Sequence, residues 1–368
     1  NGDIEADIAL INNLGCKTVR HWMHFTALMK DKDTMNEEEC ERMHLALEEC
    51  LKYDIVNIGM NHHNFNGGLS SVGKVKRNMV KGSDYILWLD DYYTSWYNLV
   101  SEFPEVLYWE IDNELNNPDF MFNAYDKTYF TASEMAEIAT DMLYYATRAI
   151  HDANPEAQSV MGGLTEPTGL GRGNTASFLQ MLYDNIASGE YGYFYGKEEP
   201  SAASKNADDY FEIACWHPYM SNFNKQNFID INNEYYEIIL KNEGKHKKVF
   251  FTEIGWNDDS IGGEEKSIEF MEQMYDALKS MPYVETANIF KLYDTGKKNN
   301  WDGPNYLYFG LVHDPDPTRA YTPCDKTSDP LNIDEKGYCI NGAPKNKAYS
   351  YQKIAGGSGS LSVLVDEK

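Results

Sequence analysis

Short runs of β-branched and apolar residues recur along the chain, each followed by a longer stretch with apolar residues every three or four positions. Seven runs have strand character: KTVRHW (17–22), IVNIGM (55–60), VLYWEI (106–111), QSVMGG (158–163), YFEIACW (210–216), KVFFTEI (248–254) and TANIFKLY (286–293). Helical patterns separate them, among them NEEECERMHLALEECLKY and SEMAEIATDMLYYATRAIHDANP. The second predicts a helix opened by Ser133 as N-cap, with Glu137 nearby, and closed before Pro155. Strand and helix in alternation predict an α/β fold with a parallel sheet. Seven such units are one short of a closed eight-stranded barrel.

The chain opens on a helix pattern, GDIEADIALINNLG, so the missing strand is the first. At the other end, LSVLV (361–365) has the apolar, β-branched character of a buried parallel strand. Read in a circle, LSVLVDEK followed by NGDIEAD gives strand, loop and helix. This predicts a (β/α)8 TIM barrel as a circular permutation: residues 1–355 carry strands two to eight, 356–360 (GGSGS) form a linker, and 361–368 supply strand one. Five or six linker residues span up to about 20 Å at roughly 3.3 Å each, and permutation is tolerated at exposed loops. The alternative reading of the tail is a cloning scar or a disordered end. A Pro/Asp/Gly-rich stretch from 314 to 345 predicts a long loop after the last strand.

Composition narrows the partners. A formal net charge of −26 repels a phosphate backbone, so nucleic acid is not an expected partner. No apolar run is long enough to cross a bilayer. Aromatics make up 14% of the chain, including 27 Tyr and 7 Trp, which suits both a core and a site that stacks flat ligand faces. Six Cys in this length are no disulfide scaffold and show no CxxC zinc spacing. Cys324 and Cys339 share the late loop and can pair in an oxidising compartment; the sequence leaves that open.

Chemistry concentrates at strand ends. YWEIDNELNN ends one strand with Asn113 and Glu114, and VFFTEIGWND ends another with Glu253. In an eight-stranded barrel the C-terminal ends of the strands form the catalytic face, so the two carboxylates are expected to converge on one cleft. Two carboxylates flanking a cleft are the apparatus for breaking a glycosidic bond, one donating a proton and the other attacking carbon. His62, His63 and Asn64 in MNHHNFNGG fall on the same face, where one is expected to bind sugar hydroxyls; an ordinary surface loop is the competing reading. His21 and His24, three apart, add two more imidazoles, but no carboxylate spacing beside them supports a metal centre.

On these motifs the sequence resembles the retaining glycoside hydrolases of clan A, which include families 5 and 39. WEIDNE is similar to that clan's Trp-Glu-x-x-Asn-Glu signature on the fourth strand, which implies Glu114 as acid/base and Asn113 as ligand of the sugar 2-hydroxyl. TEIGW is similar to the seventh-strand signature, which implies Glu253 as nucleophile. The resemblance further implies that Arg20, in TVRHW, hydrogen-bonds the nucleophile and keeps it ionised, and that Tyr219, in CWHPY with His217, contacts the same carboxylate. Two positions depart from the pattern: Asp112 stands where relatives commonly have Trp or Gly, and IFKLYD lacks the Trp that often floors the sugar site. Tyr293 or Trp301 is a candidate replacement, with Trp256 the favoured stacking residue.

The implied activity is cleavage of β-glycosidic bonds by double displacement, with carboxyl groups about 5–5.5 Å apart and retention at the anomeric carbon. It implies a carbohydrate substrate, no cofactor and no metal, and a secreted, cell-surface or periplasmic monomer. A metal-dependent sugar isomerase and a non-catalytic carbohydrate-binding barrel are the competing classes.

Overall fold

The computed structural model describes residues 4–62, 76–123, 128–166, 175–195, 202–294, 308–313 and 343–361. His63, Asn64, Trp301, Cys324, Cys339 and all of the 361–365 run except Leu361 lie outside the described residues.

All seven predicted strands are present: β1 (Thr18–Trp22), β2 (Val56–Asn61), β3 (Tyr108–Asn113), β4 (Gln158–Thr165), β5 (Ala214–His217), β6 (Val249–Ile254) and β7 (Val284–Ile289). They pair in chain order and all in parallel. Helices follow most of the strands, the longest being Asp84–Glu102, Ala132–Ala153 and Lys225–Glu243. The sheet curls on itself, because Thr18 Oγ1 on β1 lies 2.8 Å from Thr286 Oγ1 on β7. Two small antiparallel strand pairs, Met29–Asp31 with Thr34–Met35 and Phe122–Asn123 with Thr128–Tyr129, sit outside it.

β2 to β6 are nearly all buried and largely apolar because both faces are covered, whereas β1 and β7 are mostly half-buried. Inside the barrel, Ile58, Val160, Ile213, Cys215 and Phe250 form one cluster. Outside, between sheet and helices, a larger core takes in Trp96, Trp109, Trp216, Phe211 and Phe251. Each fully buried aliphatic or aromatic side chain here contributes about 1.5–3 kcal/mol.

Helix ends obey local chemistry with one shift from expectation. The Ala132–Ala153 helix is capped by Thr131, not Ser133. Thr131 Oγ1 accepts from the Glu134 N–H at 3.3 Å while the Glu134 carboxylate accepts from the Thr131 N–H at 2.8 Å. This reciprocal pair satisfies two otherwise orphaned donors, so Ser133 is drawn into the first turn.

Candidate active site

The cleft is organised around one buried cation. Arg20, inward-facing on β1, donates from Nε to Glu110 Oε2 at 2.6 Å and from Nη2 to Glu110 Oε1 at 2.8 Å. The same Nη2 donates to Asn113 Oδ1 at 2.8 Å, and Nη1 donates to Glu253 Oε1. Glu110 is fully buried, and a carboxylate there is tolerable only because this fork neutralises it. Thr252 Oγ1 and the Gly163 N–H also donate to Glu110 Oε1, at 3.0 and 3.1 Å.

The end of β3 explains how three of its residues reach one cleft. Alternation along a strand places Glu110 inside the barrel and Ile111 outside, and would turn Asn113 outward. Asp112 breaks the parity: its φ of 75° is left-handed, the register with β4 skips it, and Asn113 faces Arg20. Asp tolerates this conformation because its own carboxylate accepts from the Asn113 N–H at 2.6 Å. Glu114 is left-handed too, with φ of 50°, which re-aims its side chain into the cleft. Non-glycine residues held this way cost of order 1–3 kcal/mol each and cluster at working sites.

Glu253 ends β6, 8% exposed. Tyr219 O–H donates to its Oε2 at 2.9 Å, and Arg20 holds its Oε1. Burial pushes its pKa up, but His217, Arg20 and the Tyr219 hydroxyl outweigh that and leave it below the usual carboxylate value. His217 Nδ1 lies 3.2 Å from Glu114 Oε1 and 3.8 Å from Glu253 Oε2. Its Nε2 lies 3.0 Å from Thr252 Oγ1. Since Thr252 spends its proton on Glu110, Nε2 is the donor in that contact, and Nδ1 is the atom that faces both carboxylates. Burial lowers the His217 pKa, but the charges of Glu253 and Glu114 carry it above the ordinary imidazole value. A side chain on Gly163 would come within 2.2 Å of His217 Nε2, so glycine is what lets the imidazole lie against β4.

Glu114 also accepts from Asn117 Nδ2 at 2.7 Å. One oxygen of Glu114 and one of Glu253 lie within 4.8 Å of each other, with His217 Nδ1 in the same group. Glu110, Cys215 and His217 form a second such group of donor atoms. Arg20 contacts one acid of each group, Glu253 in the first and Glu110 in the second.

Of the residues singled out in the sequence, Arg20, Asn113, Glu114, His217, Tyr219 and Glu253 meet in this cleft. Trp256 does not present an open face. It is 5% exposed, packs against Phe223 and Phe270, and donates its indole N–H to Met220 O at 2.8 Å. The apolar ring has been taken into the core behind the loop. Tyr293 is likewise committed elsewhere, its hydroxyl donating to Asp7 on the Ile4–Leu14 helix. Phe309 packs edge-on to both Tyr219, the hydroxyl donor to Glu253, and Phe290.

Two contributors, Glu110 and Trp22, escaped the sequence reading, whereas His62 was among the residues expected on this face. Glu110 was legible as a charge inside an apolar strand, which demands a buried partner. Trp22, at the end of β1, is 56% exposed and stacks on His24 at 5.1 Å, so it offers an open aromatic face here. His62 pairs through Nδ1 with Asp112 Oδ1 at 2.9 Å, edge-on to His24. Burial and the Arg20 charge push both of these imidazoles down to about 4, so both are neutral at neutral pH. His21 faces the other way, bonded to Asn57 Oδ1 at 2.8 Å.

No protein-family model and no curated protein matches this sequence. Solved structures match it in fold. A family 39 glycoside hydrolase from the gut symbiont Bacteroides cellulosilyticus superposes with a TM-score of 0.62 at 14% identity, over 96% of this chain and 60% of that one. A family 1 β-glucosidase from Thermotoga maritima gives 0.60 at 13% identity, over 97% and 86%. A GH5_18 protein from Bifidobacterium longum, in complex with Manβ1-4GlcNAc, gives 0.61 at 12% identity, over 96% and 72%. This chain thus spans three-fifths of the family 39 enzyme's length. At these identities the likeness establishes the architecture: a parallel, nearly closed barrel of the (β/α)8 type.

Proposed function

We propose that this chain is a retaining glycoside hydrolase acting on β-glycosidic bonds of a poly- or oligosaccharide, with Glu253 as nucleophile and Glu114 as acid/base. The observation that carries the reading is the approach of these two carboxylates, within 4.8 Å, from the ends of β3 and β6. That approach supports the short spacing of double displacement, in which the carboxyl groups stand about 5–5.5 Å apart, over an inverting pair, which stands about 6.5–9.5 Å apart.

The roles follow from the surroundings. Glu253 is held ionised by Arg20 and Tyr219, so it attacks the anomeric carbon while Glu114 gives its proton to the departing oxygen. The glycosyl–Glu253 ester carries no negative charge. Glu114, now the sole anion of the pair, takes a proton from water, whose oxygen attacks the same carbon and releases Glu253. Asn113, oriented by Arg20, faces the cleft where the 2-hydroxyl of the bound sugar would sit. Trp22, with His24 beneath it, offers a stacking surface at the rim.

The test is turnover of a panel of aryl β-glycosides and polysaccharides by the wild type, Glu253→Ala and Glu114→Ala. Loss of turnover in Glu253→Ala, with azide restoring it as the inverted glycosyl azide, supports the assignment. Unchanged turnover in that variant removes Glu253 as nucleophile. Activity abolished by a chelator favours the metal-dependent isomerase.

A further inference from the structure

Glu114 sits on backbone that two left-handed residues bend, Asp112 with φ of 75° and Glu114 itself with φ of 50°. The pairing of β3 with β4 keeps one offset on both sides of the turn, Ile111 with Met161 and Asn113 with Gly163. No extra residue is inserted there, as a bulge would do, so the reversal is made by backbone torsion alone. β4 makes room for it with a glycine: a Cβ on Gly162 would lie 2.4 Å from Ile111 O and 2.8 Å from Asp112 O. A left-handed residue that carries a side chain persists only where its surroundings hold it.

Three neighbouring strands grip the segment. From β1, Arg20 donates to Asn113 Oδ1 at 2.8 Å. At the end of β4, Thr165 exchanges two hydrogen bonds with the fully buried Asn116, whose Nδ2 donates to Thr165 O at 2.7 Å and whose Oδ1 accepts from the Thr165 N–H at 2.9 Å. The third grip comes from His62, just past β2, and it falls on Asp112, the residue whose torsion makes the turn. Asp112 is fully buried, and its Oδ1 lies 2.6 Å from the Asn113 N and 2.9 Å from His62 Nδ1. A carboxylate only accepts, so Nδ1 carries the hydrogen. The His62 ring meets His24 and Phe120 edge-on, with centroids 5.8 and 5.0 Å away, which restricts its rotation. Glycine at 112 would permit the same torsion and fix nothing.

We propose that His62 and Asp112 are a positioning pair: the hydrogen bond between them holds the left-handed turn at the end of β3 and thereby aims Glu114 at the glycosidic oxygen. This rests on the reading of Glu114 as acid/base. Neither residue exchanges a proton with the substrate in this role. Without the pair, Glu114 keeps Asn117 and His217 as partners but its backbone is free to relax, and a displacement of about 1 Å is enough to cost a rate about 100-fold.

Leaving-group dependence tests this. The measurement is kcat/KM for the wild type, Asp112→Gly, His62→Ala, Asp112→Asn and Glu114→Ala on dinitrophenyl and phenyl β-glycosides. Dinitrophenolate departs without a proton, whereas phenol needs one from the acid. Asp112→Gly and His62→Ala are each expected to lose about 10- to 100-fold on the phenyl glycoside and about 3-fold or less on the dinitrophenyl one. The double variant should lose no more than either single one, because the two residues act as a unit. Asp112→Asn tolerates the turn and keeps an accepting oxygen, so it should recover most of the loss. If Glu114→Ala shows the selective loss while Asp112→Gly and His62→Ala lose equally on both glycosides, or lose nothing on the phenyl glycoside, the inference is overturned and the reading of Glu114 stands. A Glu114→Ala variant without selectivity removes Glu114 as acid/base, and the inference with it. Imidazole ¹⁵N NMR of the wild type reads the pair without turnover: His62 is expected to carry its hydrogen on Nδ1, and a hydrogen on Nε2 alone overturns the proposal.

Discussion

Removing one hydroxyl from the cleft tests the electrostatics on which the proposed roles rest. Tyr219→Phe deletes the donor 2.9 Å from Glu253 Oε2 and leaves Arg20 on the other oxygen. A hydrogen bond to an ionised group is worth about 1.5–3 kcal/mol, and 1.36 kcal/mol moves an ionisation by one pH unit. In the wild type the Glu253 pKa lies below 4.5, so the ionised, reactive form is complete above 4.5 and is lost as pH falls through the lower, folded value. The variant loses part of that depression. The acid limb of kcat/KM on an aryl β-glycoside is therefore expected to move up by roughly one to two pH units. Rates at neutral pH should fall much less than those at low pH. A ¹³C-carboxyl NMR titration of Glu253 reads the same displacement without substrate. An acid limb that stays in place while kcat/KM falls uniformly would refute the reasoning, since Tyr219 would then not act on this ionisation.

Other expectations follow from single contacts. Gly163→Ala puts a methyl where His217 Nε2 lies 2.2 Å away; overpacking of this kind costs about 1–3 kcal/mol, so Tm should drop by a few degrees and kcat/KM by 10-fold or more. Trp22→Ala removes an exposed ring, so KM should rise about 2- to 10-fold, equivalent to 0.5–1.5 kcal/mol of stacking, with Tm nearly unchanged. Glu264, under the Lys347 N–H, is pushed by burial and by the Asp258 charge from 4.5 up to about 7. The folded state therefore keeps a proton that the unfolded chain releases, and stability present below 4.5 is lost as pH rises through about 7. Thermal melts should show Glu264→Gln gaining on the wild type across that window; a constant difference would contradict the linkage.

Seven strands, their order and the parallel architecture were legible in the sequence, because strand and helix are written in local periods of two and 3.6 residues. The two acidic motifs at strand ends were legible for the same reason: a barrel sends every strand's C-terminal end to one face. What remained hidden depends on neighbours distant in sequence. Trp256 and Trp22 are equally aromatic, yet one is covered by Phe223 and Phe270 and the other is open, and no local pattern separates them. The left-handed turn at Asp112 reverses the alternation that would have pointed Asn113 outward, so its aim belongs to the folded backbone. Glu110 became intelligible only when Arg20, ninety residues earlier, was found in a fork around it. Periodicity places a residue on a face; only the folded barrel decides which charges share a buried space, because that choice is made by desolvation and pairing across strands.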